Sequence, residues 1–167
     1  ASATAMLTWM LTDGARGKKR SATGAAVGAV VGLVAITPAA GYVTVGQSIF
    51  IGFVASIVSY SAVRLKSHTS IDDTLDVFPC HGIGGIVGML LTGVFAKNVG
   101  LIYGDSTVFL YHLLALGIVS IYTFGGSYLL YKLTNLILPM RVTELQEERG
   151  LDITQHGEVA TDIQSSF

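Results

Sequence analysis

The first residue of this chain that could do chemistry is a histidine set inside an apolar run. In DDTLDVFPCHGIGGIVG, Asp72 to Gly88, three carboxylates (Asp72, Asp73, Asp76) lead to His81 beside the thiol of Cys80, followed by glycines at 82, 84, 85 and 88. From Val77 to Ala96 the residues are apolar or small almost throughout, roughly the twenty that a bilayer-spanning helix needs. A polar side chain is costly in lipid, so such a residue faces a cavity or a bundle interior and marks a pathway. Neutral imidazole offers one donor and one acceptor. A Cys80–His81 metal pair is disfavoured, because adjacent helical residues point about 100° apart and no further ligands sit nearby. The single cysteine also excludes an internal disulfide and a cysteine-based zinc site. The plain alternative is a histidine satisfied within helix contacts.

The elements that must position His81 read as membrane helices. The chain is 51% hydrophobic and only 13% charged, about half the charge of a soluble domain. A net charge of −1 offers no basic face for nucleic acid. Hydropathy predicts a fragment, Ala1 to Leu11, too short to cross a bilayer and read as the end of a helix that starts earlier. Four full spans follow, roughly Gly24 to Ala40, Ser48 to Leu65, Val77 to Ala96 and Val108 to Pro139. Glycines at 24, 28 and 32 share one helix face, and small residues there allow close approach of a neighbouring helix. The same expectation attaches to Gly82 and Gly85.

Arg16, Lys18, Lys19, Arg20, Arg64, Lys66, Lys132, Arg141 and Arg149 fall on one side if the spans alternate, and only Lys97 on the other. That bias places the C-terminus in the cytoplasm. After Pro139 the chain turns polar, so residues 1–139 read as membrane helices and 140–167 as a cytoplasmic tail. Thr143 and Gln146 have capping-box spacing before a short helix ending at Gly150. Disorder is the simple expectation for such a tail, set against apolar Leu151 and Ile153, which could dock. No phosphate-binding glycine loop or haem signature is present, and no cofactor is expected.

Three pieces, TPAAGYV at 37–43, DDTLDVFPCHGIGGIVGMLLTGVFA at 72–96 and MRV…GLDITQHGE at 140–158, together resemble the C-terminal half of an ammonium transporter of the Amt/Mep/Rh family. The resemblance covers nearly the whole chain in the right order. It implies an all-α integral membrane protein of eleven helices, ten of them in two inverted repeats. This chain would hold the end of helix seven, helices eight to eleven and the tail. It implies a homotrimer in the cell membrane, an ammonium or ammonia pathway through each subunit, and no enzymatic activity. The missing N-terminal half would supply the rest of each pore, and a PII-type regulatory protein is a candidate partner on the cytoplasmic face.

By that resemblance His81 matches one of two pore histidines that share a hydrogen bond at mid-membrane. Asp76 matches a residue that organises the pore, while Val77 and Val30 match apolar pore-wall positions. Desolvation disfavours both ammonium and imidazolium, so such a pore favours removal of a proton, which K⁺ cannot give. Asp72 and Asp73 precede the span, where carboxylates cap free helix amides or attract cations to the inner mouth; capping is the favoured reading. The tail motif, with Gly150, Asp152, Thr154, His156, Gly157 and Glu158, implies a regulatory segment touching a neighbouring subunit. Thr154 there either packs in a static tail or accepts a phosphate that undocks it. His68 and His112 carry no assigned role. An ammonium sensor using the same membrane fold remains the alternative; no output domain follows before Phe167, which favours the transporter, and an inert structural fragment is the third possibility.

Overall fold

The computed structural model describes residues 1–158 and is all-helical over them. Two compact units divide the chain, Ala1–Val119 and Ser120–Phe167. The last nine residues of the tail expected at 140–167 lie outside the described residues.

The first unit is built on α1 (Ser2–Ala15), α2 (Ala22–Ile36) and α3 (Val45–Lys66). A π-helical turn, Phe78–Ile83, leads without a break into α4 (Gly84–Phe95). Helix α5 (Thr107–Ile137) follows a short 3-10 turn at Leu101–Tyr103. Among the described residues, four stretches are long and apolar enough to cross a membrane: Ala22–Ala39, Val45–Lys66, Phe78–Phe95 and Thr107–Ile137. They coincide with the four spans expected from hydropathy. The boundaries follow local chemistry. Ser21 caps α2 by accepting from the Gly24 amide at 2.9 Å. Pro38 converts the end of that helix to a 3-10 turn, Thr37–Ala39. Thr44 and Gln47 form a capping box at the start of α3, the Gln47 Oε1 accepting from the Thr44 amide at 2.8 Å.

Helix α1 runs four residues beyond the expected Leu11, carrying Asp13 into the bundle. The carboxylate is tolerated there because Tyr60 donates its hydroxyl to Asp13 Oδ1 at 2.9 Å. Trp9 packs edge-on against the Tyr60 ring, centroids 5.0 Å apart, and the Arg16 guanidinium lies over its face at 5.4 Å. Helices α1 and α3 also meet where Ser56 Oγ donates to the Ala5 carbonyl at 2.9 Å. Ser2 Oγ donates to the Ala29 carbonyl of α2 at 3.0 Å.

Glycine sets how closely the helices approach. A Cβ on Gly28 would lie 2.7 Å from Trp9 Cβ, and one on Gly32 would lie 2.6 Å from Ser2 Cα. Gly52 of α3 meets Ala1 equally closely, with Ala1 Cα at 2.8 Å. The face expected through Gly24, Gly28 and Gly32 is therefore a real contact with α1. The one expected through Gly82 and Gly85 is displaced. Gly82 meets only the Phe78 ring of its own turn, and Gly85 touches Val34 at an ordinary 3.8 Å. The close approach belongs to buried Gly88, where a Cβ would fall 2.8 Å from Ala35 Cα, while a Cβ on buried Gly84 would meet the Ser59 hydroxyl at an ordinary 3.4 Å. The wider turn before α4 changes the angular register that uniform helical spacing would give.

The second unit begins within α5 and continues to α6 (Glu144–Arg149) and a π-helical turn, Asp152–His156. Gln146 Oε1 accepts from the Thr143 amide at 3.0 Å, as the capping-box spacing predicts. Gly150 ends α6 with φ +92°, a conformation that costs glycine little.

Gly28→Ala and Gly88→Ala are each expected to cost about 1–3 kcal/mol, because the neighbouring backbone must move to admit a methyl group. Thermal unfolding of the purified protein in mild detergent checks this. Midpoints equal to wild type would show that the contacts are looser than described.

Candidate functional site

His81 lies within the π-helical turn Phe78–Ile83, flanked by buried Pro79 and Cys80. Isolated π-turns inside helices concentrate at functional sites. Pro79 is tolerated because it stands in the first turn, where its missing N–H costs no helical bond. Cys80 points inward and joins the apolar core with Trp9, Val31, Ala35, Ile51, Ala55 and Tyr60. The next residue, His81, consequently points outward and is exposed. Its ring has no hydrogen-bond partner among the described residues. That geometry separates the two polar neighbours, and no group of three or more potential metal ligands occurs among the described residues.

The carboxylates ahead of this turn do three different things. Asp73 is the cap: Oδ1 accepts from the Val77 amide at 2.8 Å and Oδ2 from the Phe78 amide at 2.9 Å. The Phe78 bond first, then the Val77 bond and the Lys66 charge, hold the Asp73 carboxyl below its usual range against some loss of hydration. Asp76 adopts φ +54° and forms an ion pair with Lys66, Nζ to Oδ1 2.6 Å. A non-glycine residue in that region is uncommon and is held by its surroundings. Asp72 is exposed, with the Thr74 hydroxyl 3.5 Å from Oδ1. Capping thus falls to Asp73, and Asp76 is fixed by a lysine that topology alone had assigned to the basic flank.

Val77, the residue just before the π-turn, is half exposed, at 50%. Val30 of α2 is 38% exposed. His112 is half-buried, with Nδ1 2.8 Å from the Val108 carbonyl one turn back, a bond satisfied within its own helix. His68 is exposed beyond the end of α3.

In the second unit the tail motif is tied by short-range bonds. Half-buried Thr154 donates Oγ1 to the Gly150 carbonyl at 2.9 Å, and the Glu158 amide donates to the Asp152 carbonyl at 3.0 Å. His156 closes the turn and Gly157 follows in the left-handed region at φ +67°. The motif expected at Gly150, Asp152, Thr154, His156, Gly157 and Glu158 is therefore a local fold rather than an extended strand of tail.

Comparison with known proteins decides the family. The family model of the Ammonium Transporter Family matches residues 1–161. The chain belongs to the Ammonium Transporter Family. An ammonium transporter of Bacillus subtilis is 40% identical over 168 residues, covering 96% of this chain and 42% of that protein. Ammonium transporter Amt1 of Archaeoglobus fulgidus is 38% identical, covering 95% of this chain and 42% of that protein. The crystal structure of Saccharomyces cerevisiae Mep2 superposes with a TM-score of 0.83 at 33% identity, over 99% of this chain and 40% of that one. The all-α membrane fold is that of the ammonium transporters, and this chain spans about two-fifths of the length of the relatives it matches.

Asp73→Ala is expected to destabilise the protein by leaving the Val77 and Phe78 amides without acceptors. Because the folded carboxyl titrates below its ordinary value, the stabilisation is complete above about pH 4 and disappears as pH falls through the lowered value. Thermal midpoints of wild type and variant should therefore differ at pH 7 and converge in acid. A gap that stays constant with pH would remove the charged cap from the account.

Proposed function

We propose that this chain forms one half of a hydrophobic pore that moves ammonium, as the ion or as ammonia plus a proton, across a cell membrane. The observation that carries this reading is the outward-facing, unpartnered imidazole of His81 on a π-turn of an apolar span, in a chain of the Ammonium Transporter Family. The rest of the pore comes from the protein's other half, and a second histidine there completes the pair. Two imidazoles in contact order each other's tautomers and still leave one donor or acceptor for the passing molecule. An apolar wall, to which Val77 and Val30 contribute, penalises the bare cation. Ammonium can lose its proton to a histidine relay; K⁺ cannot. Selectivity follows from that difference. The carboxylates Asp72, Asp73 and Asp76 stand at the inner mouth, with Asp76 ordering the approach to the pore.

Three such subunits assemble, with the C-terminus in the cytoplasm and the tail motif passing regulation between neighbours. The short-range bonds of Thr154 support that role, since a phosphate on its hydroxyl replaces the bond to Gly150 with a charge of about −1.5 to −2 beside Asp152 and Glu158. A PII-type protein on the same face is the regulatory partner of this reading.

His81→Ala in the complete protein is expected to abolish or reshape ammonium transport while trimers still assemble. Uptake and discrimination against K⁺ in proteoliposomes measure this, and unchanged values for both refute the assignment. For the tail, a Thr154→Asp subunit co-assembled with wild type is expected to depress transport by its partners. Activity that scales simply with the number of wild-type subunits shows that each pore works alone.

A further inference from the structure

We infer that Lys66 is a positioning residue for the His81 turn, its ammonium group locking Asp76 and the Asp73 carbonyl into the one arrangement from which the π-turn can start. The inference rests on the functional reading of His81 and adds to it a residue from another helix.

Lys66 is the last residue of α3. A lysine there ordinarily turns back to its own helix's free carbonyls and favours the negative end of the dipole. This one reaches forward across the loop. Nζ donates to the Asp73 carbonyl at 2.6 Å and pairs with Asp76 Oδ1 at 2.6 Å. The Asp73 carbonyl also accepts from the Asp76 amide at 3.1 Å, so a single oxygen joins the turn and the lysine. Asp76 stands at φ +54° and its own carbonyl accepts from the Cys80 amide at 3.0 Å. A continuous path thus runs from the Lys66 ammonium through Asp76 to the backbone immediately before His81.

Each link has a physical task. Asp76 sits in a sparsely populated backbone region that persists only where neighbours over-determine it. Lys66 supplies two of those constraints, one on the side chain and one on the preceding turn. The lysine and aspartate side chains are only 18% and 32% exposed, so the pair is partly shielded from solvent. Lysine's three donors suit this task, since they can serve a carbonyl and a carboxylate in different directions.

The test uses the complete transporter with Lys66→Met, Lys66→Arg, Asp76→Asn and the Lys66→Met/Asp76→Asn double variant, assayed for ammonium flux and assembled yield. A misplacement of about 1 Å at a reacting group costs up to about a hundredfold, so Lys66→Met is expected to lower maximal flux at least about tenfold per assembled trimer. The double variant removes the unpaired charge and should recover yield, because deleting both partners of an ion pair is gentler than deleting one. It should not recover flux, and its loss should be no greater than that of the worse single variant. Lys66→Arg should restore part of the flux by keeping donors at both acceptors. Flux per trimer equal to wild type in Lys66→Met, or flux that tracks yield across the four variants, overturns the inference and leaves Lys66 a structural ion pair. An inactive wild-type transporter would instead overturn the functional reading and this inference with it.

Discussion

Close approach of helix backbones is the constraint on which the rest of this protein depends. In a membrane there is no hydrophobic driving force between helices, so association relies on van der Waals contact and hydrogen bonds between them. Gly28, Gly32 and Gly52 let α2 and α3 meet α1 with almost no intervening side chain, and Gly88 does the same between α4 and Ala35. Only at that separation can Ser56 reach the Ala5 carbonyl and Tyr60 reach Asp13. The polar bonds between helices are thus consequences of small residues elsewhere on the same faces.

The same proximity determines what is left outside. With Cys80 taken into the core among Val31, Ala35 and Ala55, the turn after Pro79 has one orientation, and His81 emerges on the outer side. The close contact expected at Gly82 and Gly85 is not made there. That contact falls to Gly88, beyond the π-turn. His81 therefore sits on a local departure from regular helix, bounded at one end by the Gly88 contact and at the other by the carboxylate turn.

That carboxylate turn shows how similar residues divide labour. Asp73 faces two free amides and acts as a cap, whereas Asp76, three residues later, pairs with the Lys66 side chain from a strained backbone. Neither behaves as a free surface charge. An arrangement that fixes both also fixes the backbone from which the His81 turn starts.

Much of this was determined by sequence alone. Four apolar stretches of spanning length, the glycine repeat at 24, 28 and 32 and the Thr143–Gln146 cap are local properties of the chain, and each appears where the spacing put it. Their physical basis lies in lipid thickness, helical periodicity and capping chemistry, none of which needs distant contacts. Tertiary structure decided the rest. Asp13 lies inside a helix because Tyr60, forty-seven residues away, supplies its hydrogen bond. Lys66 serves Asp76 because α3 ends beside the turn that starts the next span. The π-turn, and with it a close contact at Gly88 rather than at Gly82 and Gly85, arises where a capped strained turn, a proline and a crowded helix contact must all be met within a few residues. Pairing across a fold and the register of a distorted turn are set by which groups arrive together in space, and a one-dimensional pattern does not carry that information.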